Sequence, residues 1–364
     1  MKQKVFVGLS GGVDSSVAAL LLRDQEYDVV GVFMRCVNLD GCAERDAEDA
    51  RRVAGHLGIP FYVWDFEAAY QKRVVDYMIE EYRAGRTPNP DVACNREIKF
   101  GLFRKRALDL GADFVATGHY VRKTFYNNVP VLQQAIDENK DQSYFLWTLT
   151  SAEIATALFP IGDYKKSEVR AMAARAGLPT AQKKDSQGIC FLGQVSLHDF
   201  LKQYIPSERG AVLTTDGKQI GEHDGAWFYT IGQRHGLNLA HKNAVLGVRG
   251  EHATATHYVA TKDAATNTLV VAEGETHTAL YKENVVLGQV QFVDAALAPA
   301  GNIEVMARVR YRQKLGNAAF APQGENGGTL TFAEPQKFVA AGQSAVMYTE
   351  EGILLGGGVI AEHP

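Results

Sequence analysis

A glycine-rich loop and two cysteines are the residues with the most chemistry to offer in this 364-residue chain. The loop is "FVGLSGGVDSSVAALLL", Phe6 to Leu22, an apolar run that turns through small residues into a helical pattern. At a strand-to-helix junction, backbone N–H groups and the positive end of the helix face outward together. Gly8, Gly11 and Gly12 leave room there for a phosphate, and Ser10, Ser15 and Ser16 supply hydroxyl donors. The bland alternative is a tight turn with a capped helix, in which Asp14 or Ser15 closes the helix end. Neither Gly-Lys-Ser/Thr nor Gly-x-Gly-x-x-Gly is present, so this is not a Walker loop or a dinucleotide fingerprint.

Cys94 stands in "GRTPNPDVACNREIKF", where Pro88 and Pro90 stiffen a loop and Asn95 reads as the cap of a helix from Asn95 to Leu110. A helix N-terminus with Arg96 and Lys99 beside it favours a thiolate, although a packed thiol fits the same residues equally well. Cys190, in "KKDSQGICFLG", has Ile189, Phe191 and Leu192 for neighbours and locally reads as a small buried hydrophobe. Cys36 and Cys42 complete the four, and no role is carried onto either. Four scattered thiols without a Cys-x-x-Cys argue against a disulfide-stapled secreted fold, a zinc ribbon and an iron–sulfur cluster, and no metal site is expected.

The elements that must hold these residues are legible in outline. "KVFVGLS" and "DVVGVFM" read as buried strands, Asp14 to Arg23 and Cys42 to Leu57 as helices, "IPFYVWDF" as extended, Glu67 to Arg83 as helical and "ADFVATGHY" as a strand entering a loop. Strand alternating with helix over more than a hundred residues means an α/β fold, a parallel sheet covered on both faces in a Rossmann-like nucleotide-binding domain. Ser151 to Leu158 and Ser167 to Ala176 read as further helices. After about Pro206 short strands separated by Gly, Asn and Asp turns predict a small β module and a C-terminal β-barrel. The expected domains are 1–206, 207–275 and 280–364.

Composition narrows the class. With 46% hydrophobic and 22% charged residues the chain is ordinary for a soluble globular protein, and no stretch reaches the length of a membrane span. A cytoplasmic location is therefore expected. The net charge of −4 gives no global signature of nucleic-acid binding. Any such binding must use local basic runs, of which "RVRYRQK" is the clearest: strand alternation there puts Arg308, Arg310, Arg312 and Lys314 on one face.

Ser-Gly-Gly-Val-Asp-Ser resembles the pyrophosphate loop (PP-loop) of the ATP pyrophosphatase superfamily. Together "SGGVDSS", "GRTPNPDVACN", "ATGHYV", "NKDQSYFLW", "KKDSQGICFLG", "YTIGQRHGL", "GQSAVMY" and "LGGGVI" resemble, in order and over essentially the whole chain, the bacterial tRNA-specific 2-thiouridylases of the MnmA family. The resemblance implies that Gly8, Leu9, Ser10, Gly11, Gly12, Val13, Asp14 and Ser15, with Met34 and Gly118, hold ATP. It implies that Cys190 bears a persulfide, that Cys94 is its partner nucleophile, and that the two form a transient disulfide. Asn89, Pro90 and Asp91 match the segment touching the target uracil, with Asp91 a candidate acid/base. His119, Lys140, Asp141, Gln142, Arg310, Tyr311 and Gln343 match tRNA-contacting positions.

The implied reaction is a tRNA sulfurtransferase reaction. ATP, with Mg²⁺, adenylates O2 of the wobble uridine, sulfur from the persulfide replaces that oxygen, and AMP and pyrophosphate leave. No tightly bound cofactor is implied. The implied partners are tRNAs for Lys, Glu and Gln and a protein sulfur donor, either a relay protein or a cysteine desulfurase. Two rival classes remain: an ammonia-using ligase of the same superfamily, which needs the loop but neither cysteine, and a non-enzymatic RNA-binding protein.

Overall fold

In the computed structural model, residues 2–36, 41–184, 195–239 and 256–362 are described. Strand β1 (Lys4–Gly8) leads through the glycine loop into helix α1 (Val13–Asp24), then β2 (Asp28–Arg35), helix α2 (Cys42–Leu57) and β3 (Phe61–Asp65). Strand β4 (Phe114–Ala116) follows, then a hairpin of β5 (Val121–Tyr126) and β6 (Val129–Gln134), and β7 (Ala157–Leu158). Five of these form a parallel sheet in the order β3-β2-β1-β4-β7. Val5 and Val7 pack into one apolar cluster and Phe6 into another, so both faces are covered and β1 reads as a continuous apolar run.

Two expectations are corrected here. The stretch Ser151 to Leu158 is not one helix: it is helical over Ser151–Ala155, behind a capping box of Thr150 and Glu153, and then supplies the edge strand β7. Pairing of Val115 and Ala116 with Ala157 and Leu158 overrides the helical pattern. The predicted helix from Asn95 begins earlier. It is helical from Pro90, passes through a π-helical stretch at Asn95–Phe103 and runs to Asp109. Its cap is Asn89, whose side chain accepts from Val92 N, and Pro90 takes the first helical position, where its missing N–H costs nothing.

The second half is β. Strands β8 (Gly210–Thr214), β9 (Gln219–His223), β10 (Asn238–Leu239), β11 (His257–Asp263) and β12 (Thr268–Glu273) form a sheet ordered β10-β9-β8-β12-β11. Strands β13 (Tyr281–Phe292), β14 (Ile303–Arg308), β15 (Gly316–Gln323), β16 (Gly327–Lys337), β17 (Ser344–Tyr348) and β18 (Leu354–Ile360) close a barrel in the order β13-β16-β15-β14-β17-β18. Closure removes the sheet edges, and Val285, Phe320, Leu330 and Met347 fill the interior.

The barrel is locked to the α/β part through buried polar contacts. Tyr144 OH donates to Ser344 O at 2.9 Å, and Trp147 Nε1 donates to Ser344 Oγ at 3.0 Å. Arg308 pairs with Asp141 at 2.6 Å, and the two side chains are 3% and 0% exposed. That pair overturns the basic stripe: β14 ends at Arg308, Arg308 points inward, Arg310 is half-buried, and only Arg312 and Lys314 are exposed. Removing one partner strands a buried charge, so Asp141→Ala is expected to cost about 3 kcal/mol or more, read by urea unfolding.

Candidate active site

The loop after β1 is held from three sides. Gly11 has φ +72°, and a Cβ there would lie 2.4 Å from the carbonyl oxygen of Asp46 on α2. Ser15 Oγ accepts from Ser10 N at 3.1 Å and lies 3.1 Å from Ser10 Oγ, while Ser16 Oγ donates to Gly12 O at 2.7 Å. Gly118, after β4, presses on the far side: a Cβ there would lie 2.6 Å from Ser15 N. Met34, at the end of β2, lies against Gly8. Leu9 N donates to Val32 O, and buried Val13 opens α1.

The helix after this loop has no side-chain cap. Asp14 instead accepts from Lys166 Nζ at 2.7 and 2.8 Å and from Tyr120 OH at 2.8 Å. So the capped-turn alternative fails, and the first-turn N–H groups of α1 are left to the loop itself. Lys183 Nζ bonds Asp46 and Asp49, both at 2.7 Å, which ties the chain just before the Cys190 segment to the base of the loop. Cys190 lies outside the described residues.

A second group of candidates gathers on the helix that starts at Pro90. Cys94 is 8% exposed, and Cys94 and Asn95 stand three and four residues after Asp91, so each neighbours Asp91 on the helix surface. Burial pushes the Asp91 carboxyl above its ordinary range, against the pull of the Lys99 ammonium. Further along, Lys99 Nζ reaches His119 Nε2 at 3.4 Å, and Thr117 Oγ1 meets His119 Nδ1 at 2.7 Å. Burial first, and Lys99 second, hold the imidazole well below its usual range. A neutral ring that accepts at Nε2 carries its proton on Nδ1 and donates it to Thr117. Because His119 directly follows Gly118, this contact connects the phosphate-type loop to the Cys94 helix.

Of the remaining candidates, Gln343 and Tyr311 are linked to that helix. Gln343, between β16 and β17, donates through Nε2 to Thr87 O at 3.0 Å and Pro88 O at 2.9 Å, so the barrel grips the chain just before Asn89. The Tyr311 ring lies 4.4 Å from that of Phe145, whose carbonyl accepts from Asn95 Nδ2 at 3.1 Å. Arg310 donates to Ile231 O at 3.0 Å. Lys140 is half-buried, and Gln142 Oε1 accepts from Tyr120 N at 2.9 Å. Asp141 differs from the expectation for it: its carboxylate is turned inward to Arg308, Ser143 and Ala135 N, so the side chain braces the surface rather than forming it.

Several of these partners carry no signal in the sequence: Lys166, Tyr120, Lys183 and Phe145 reach the site across 50 or more residues. Lys262 is another. From β11 it donates to Tyr229 O at 2.7 Å and Thr87 Oγ1 at 3.4 Å, and burial pushes it down to about 8, with Glu362 opposing. The depressed value sets a sign. Between about pH 8 and the unfolded value near 10.5 the unfolded chain binds more protons, so stability must rise with pH. Lys262→Met is expected to remove that rise, at most on the order of 3 kcal/mol, read by urea unfolding at pH 7.5 to 10.

Among the described residues no group of three or more His, Cys, Asp and Glu is placed to hold a metal ion, and no helix is long and apolar enough to cross a membrane.

Comparison with known proteins covers the whole length. The tRNA methyl transferase HUP domain family matches residues 3–194, the tRNA methyl transferase PRC-barrel domain family residues 198–273, and the aminomethyltransferase beta-barrel domain family residues 282–360. The tRNA-specific 2-thiouridylase MnmA of Enterococcus faecalis is 45% identical over 99% of this chain and 95% of its own length. Those of Tolumonas auensis, at 44% over 99% and 96%, and Pseudomonas entomophila, at 45% over 99% and 95%, are equally similar. With the loop, the Cys94 helix and the closed barrel all in place, a full-length match at this identity shows that the chain belongs to the tRNA-specific 2-thiouridylase MnmA family.

Proposed function

We propose that this protein is a tRNA-uridine 2-sulfurtransferase: with ATP as its magnesium complex it adenylates O2 of the wobble uridine and replaces that oxygen by sulfur from a persulfide on Cys190. One observation carries the reading. A nucleotide-type loop and a buried cysteine helix share one frame, joined through Gly118, His119 and Lys99. Loop N–H groups and the start of α1 offer the electrostatic stabilisation that a departing pyrophosphate needs, and Ser10 and Ser15 add donors.

O2 attacks the α-phosphorus, and AMP then becomes the leaving group at C2. The outer sulfur of the Cys190 persulfide adds to C2 and expels AMP. Cys94 attacks the Cys190 Sγ of the resulting adduct and leaves the new sulfur on the base. Alternatively Cys94 attacks the persulfide first and releases hydrosulfide, which adds to C2. Both routes end in a Cys94–Cys190 disulfide that a two-electron reductant must reopen. Asp91, kept protonated to higher pH by burial, is suited to proton transfer at the base. A stacked anticodon base cannot reach a buried thiol, so the uridine must be flipped out.

The same reading assigns residues 1–206 to catalysis, 207–275 to a central β module and 280–364 to tRNA binding, with tRNAs for Lys, Glu and Gln and a protein sulfur donor as cytoplasmic partners. Methyl transfer, which two of the matched family descriptions name, is the specific rival. It consumes a methyl donor and needs neither ATP nor Cys94. Incubation with tRNA, Mg·ATP, a sulfane-sulfur donor able to transfer a persulfide to Cys190 and a thiol reductant, followed by nucleoside mass spectrometry, separates them: 2-thiouridine that depends on ATP supports the proposal. A methylated nucleoside, or no change in a protein that binds ATP, rejects it.

A further inference from the structure

If the site thiolates uridine, something in it must tell uracil from cytosine, since both bases carry a carbonyl at C2. The two differ at N3, which is an N–H donor in uracil and a lone-pair acceptor in cytosine, and at position 4, a carbonyl in uracil and an amino group in cytosine. A reader of N3 must offer an acceptor beside Asp91 and Cys94.

Asn95 has the required chemistry. It follows Cys94, stands one helical turn after Asp91, and is 2% exposed. Among the described residues one hydrogen bond orients its amide: Nδ2 donates to Phe145 O at 3.1 Å, and because a carbonyl can only accept, the oxygen is directed away from that strut. Asn95 Oδ1 is buried without a hydrogen-bond partner among the described residues, a costly state for an amide oxygen in a well-packed region. Phe145, which fixes the amide, packs at a tilt against Tyr311 from the C-terminal half, so the surface expected to receive the RNA also positions this acceptor.

We propose that Asn95 Oδ1 accepts a hydrogen bond from N3–H of the flipped uracil and thereby sets the enzyme's choice of uridine over cytidine. This rests on the sulfurtransferase reading above. Uracil pairs the orphan acceptor. Cytosine brings one lone pair against another and leaves both unsatisfied. Sites built to hydrogen-bond a substrate N–H reject the analogue lacking it by roughly 10⁴-fold or more, which is the scale expected in the wild type.

The experiment compares one tRNA with uridine, cytidine or an abasic residue at the wobble position. For the wild type, kcat/KM for thiolation should favour uridine strongly, and binding should fall in the order uridine, abasic, cytidine. In Asn95→Ala, activity on uridine should drop and the uridine-to-cytidine ratio of kcat/KM should collapse by about a hundredfold. A side chain that only supports the helix would lower activity on both substrates and leave the ratio where it was, which would overturn the proposal. Should the variant fail to fold, the wild-type binding series decides: cytidine bound more tightly than the abasic site overturns it. A wild type that thiolates no uridine rejects the parent reading and this inference with it, whereas active wild type with an unchanged ratio in Asn95→Ala rejects only this one.

Discussion

Cys94→Ser is expected to reduce 2-thiouridine formation by at least about a thousandfold while ATP binding stays at the wild-type level. Serine nearly matches the shape of a side chain that is 8% exposed, so the fold should tolerate it. The hydroxyl fails chemically, because at neutral pH it is neither ionised nor a good nucleophile toward sulfur, and both routes to product require attack on the Cys190 Sγ. Cys94 also lies off the loop, joined to it through Lys99, His119 and Gly118, so the nucleotide should not sense the change. The variant separates the two routes. If the persulfide adds directly to C2, a tRNA–protein adduct through the Cys190 disulfide accumulates, is visible as a shifted band on a non-reducing gel, and disappears with thiol. If hydrosulfide must be released first, no adduct forms. Thiolation near the wild-type rate would remove Cys94 from the mechanism.

How far the sequence can be read depends on whether a contact is local. Val5, Phe6 and Val7 announce a doubly covered parallel strand because every residue is apolar, and the short alternating strands after residue 280 announce a barrel. The cap at Asn89 was also written locally, in Asn-Pro-Asp with proline at the first helical position, although the two prolines read more readily as a stiff loop. The π-helical stretch over Asn95–Phe103 has no such local signature, yet it helps decide which side chains accompany Cys94. The arginine stripe failed for a nonlocal reason: Arg308 is drawn inward by Asp141, 167 residues away, and alternation along one strand cannot register that pull. Lys166 on Asp14, 152 residues apart, and Gln343 on Thr87, 256 apart, are equally invisible before the fold brings them together. Motif residues were thus legible and their supports were not, because a support is defined by what it touches.

Gly118→Ala should be nearly as damaging to activity as loss of the thiol, and for a purely steric reason. The added Cβ would lie 2.6 Å from Ser15 N, 2.8 Å from Asp14 C and 2.9 Å from Ser15 Cα. These are backbone atoms of the first turn of α1, and no rotamer change relieves the overlap, so either β4 or the loop must move. Overpacking of this kind costs about 1–3 kcal/mol of stability. Movement of the loop by about 1 Å is enough to weaken catalysis about a hundredfold. The loop is clamped opposite, where Gly11 abuts the Asp46 carbonyl, so it has no room to retreat as a unit and its N–H groups must lose their common focus. Gly55→Ala in α2 is the control, because a Cβ there meets nothing within 4 Å and alanine is the better helix former by about 1 kcal/mol. ATP affinity by calorimetry should fall by tenfold or more in Gly118→Ala and remain unchanged in Gly55→Ala. Thiolation should fall further than affinity does, because His119 moves with Gly118 and carries the Lys99 contact to the Cys94 helix with it. Equal losses in binding and turnover would mean that the loop and the cysteine helix are positioned independently.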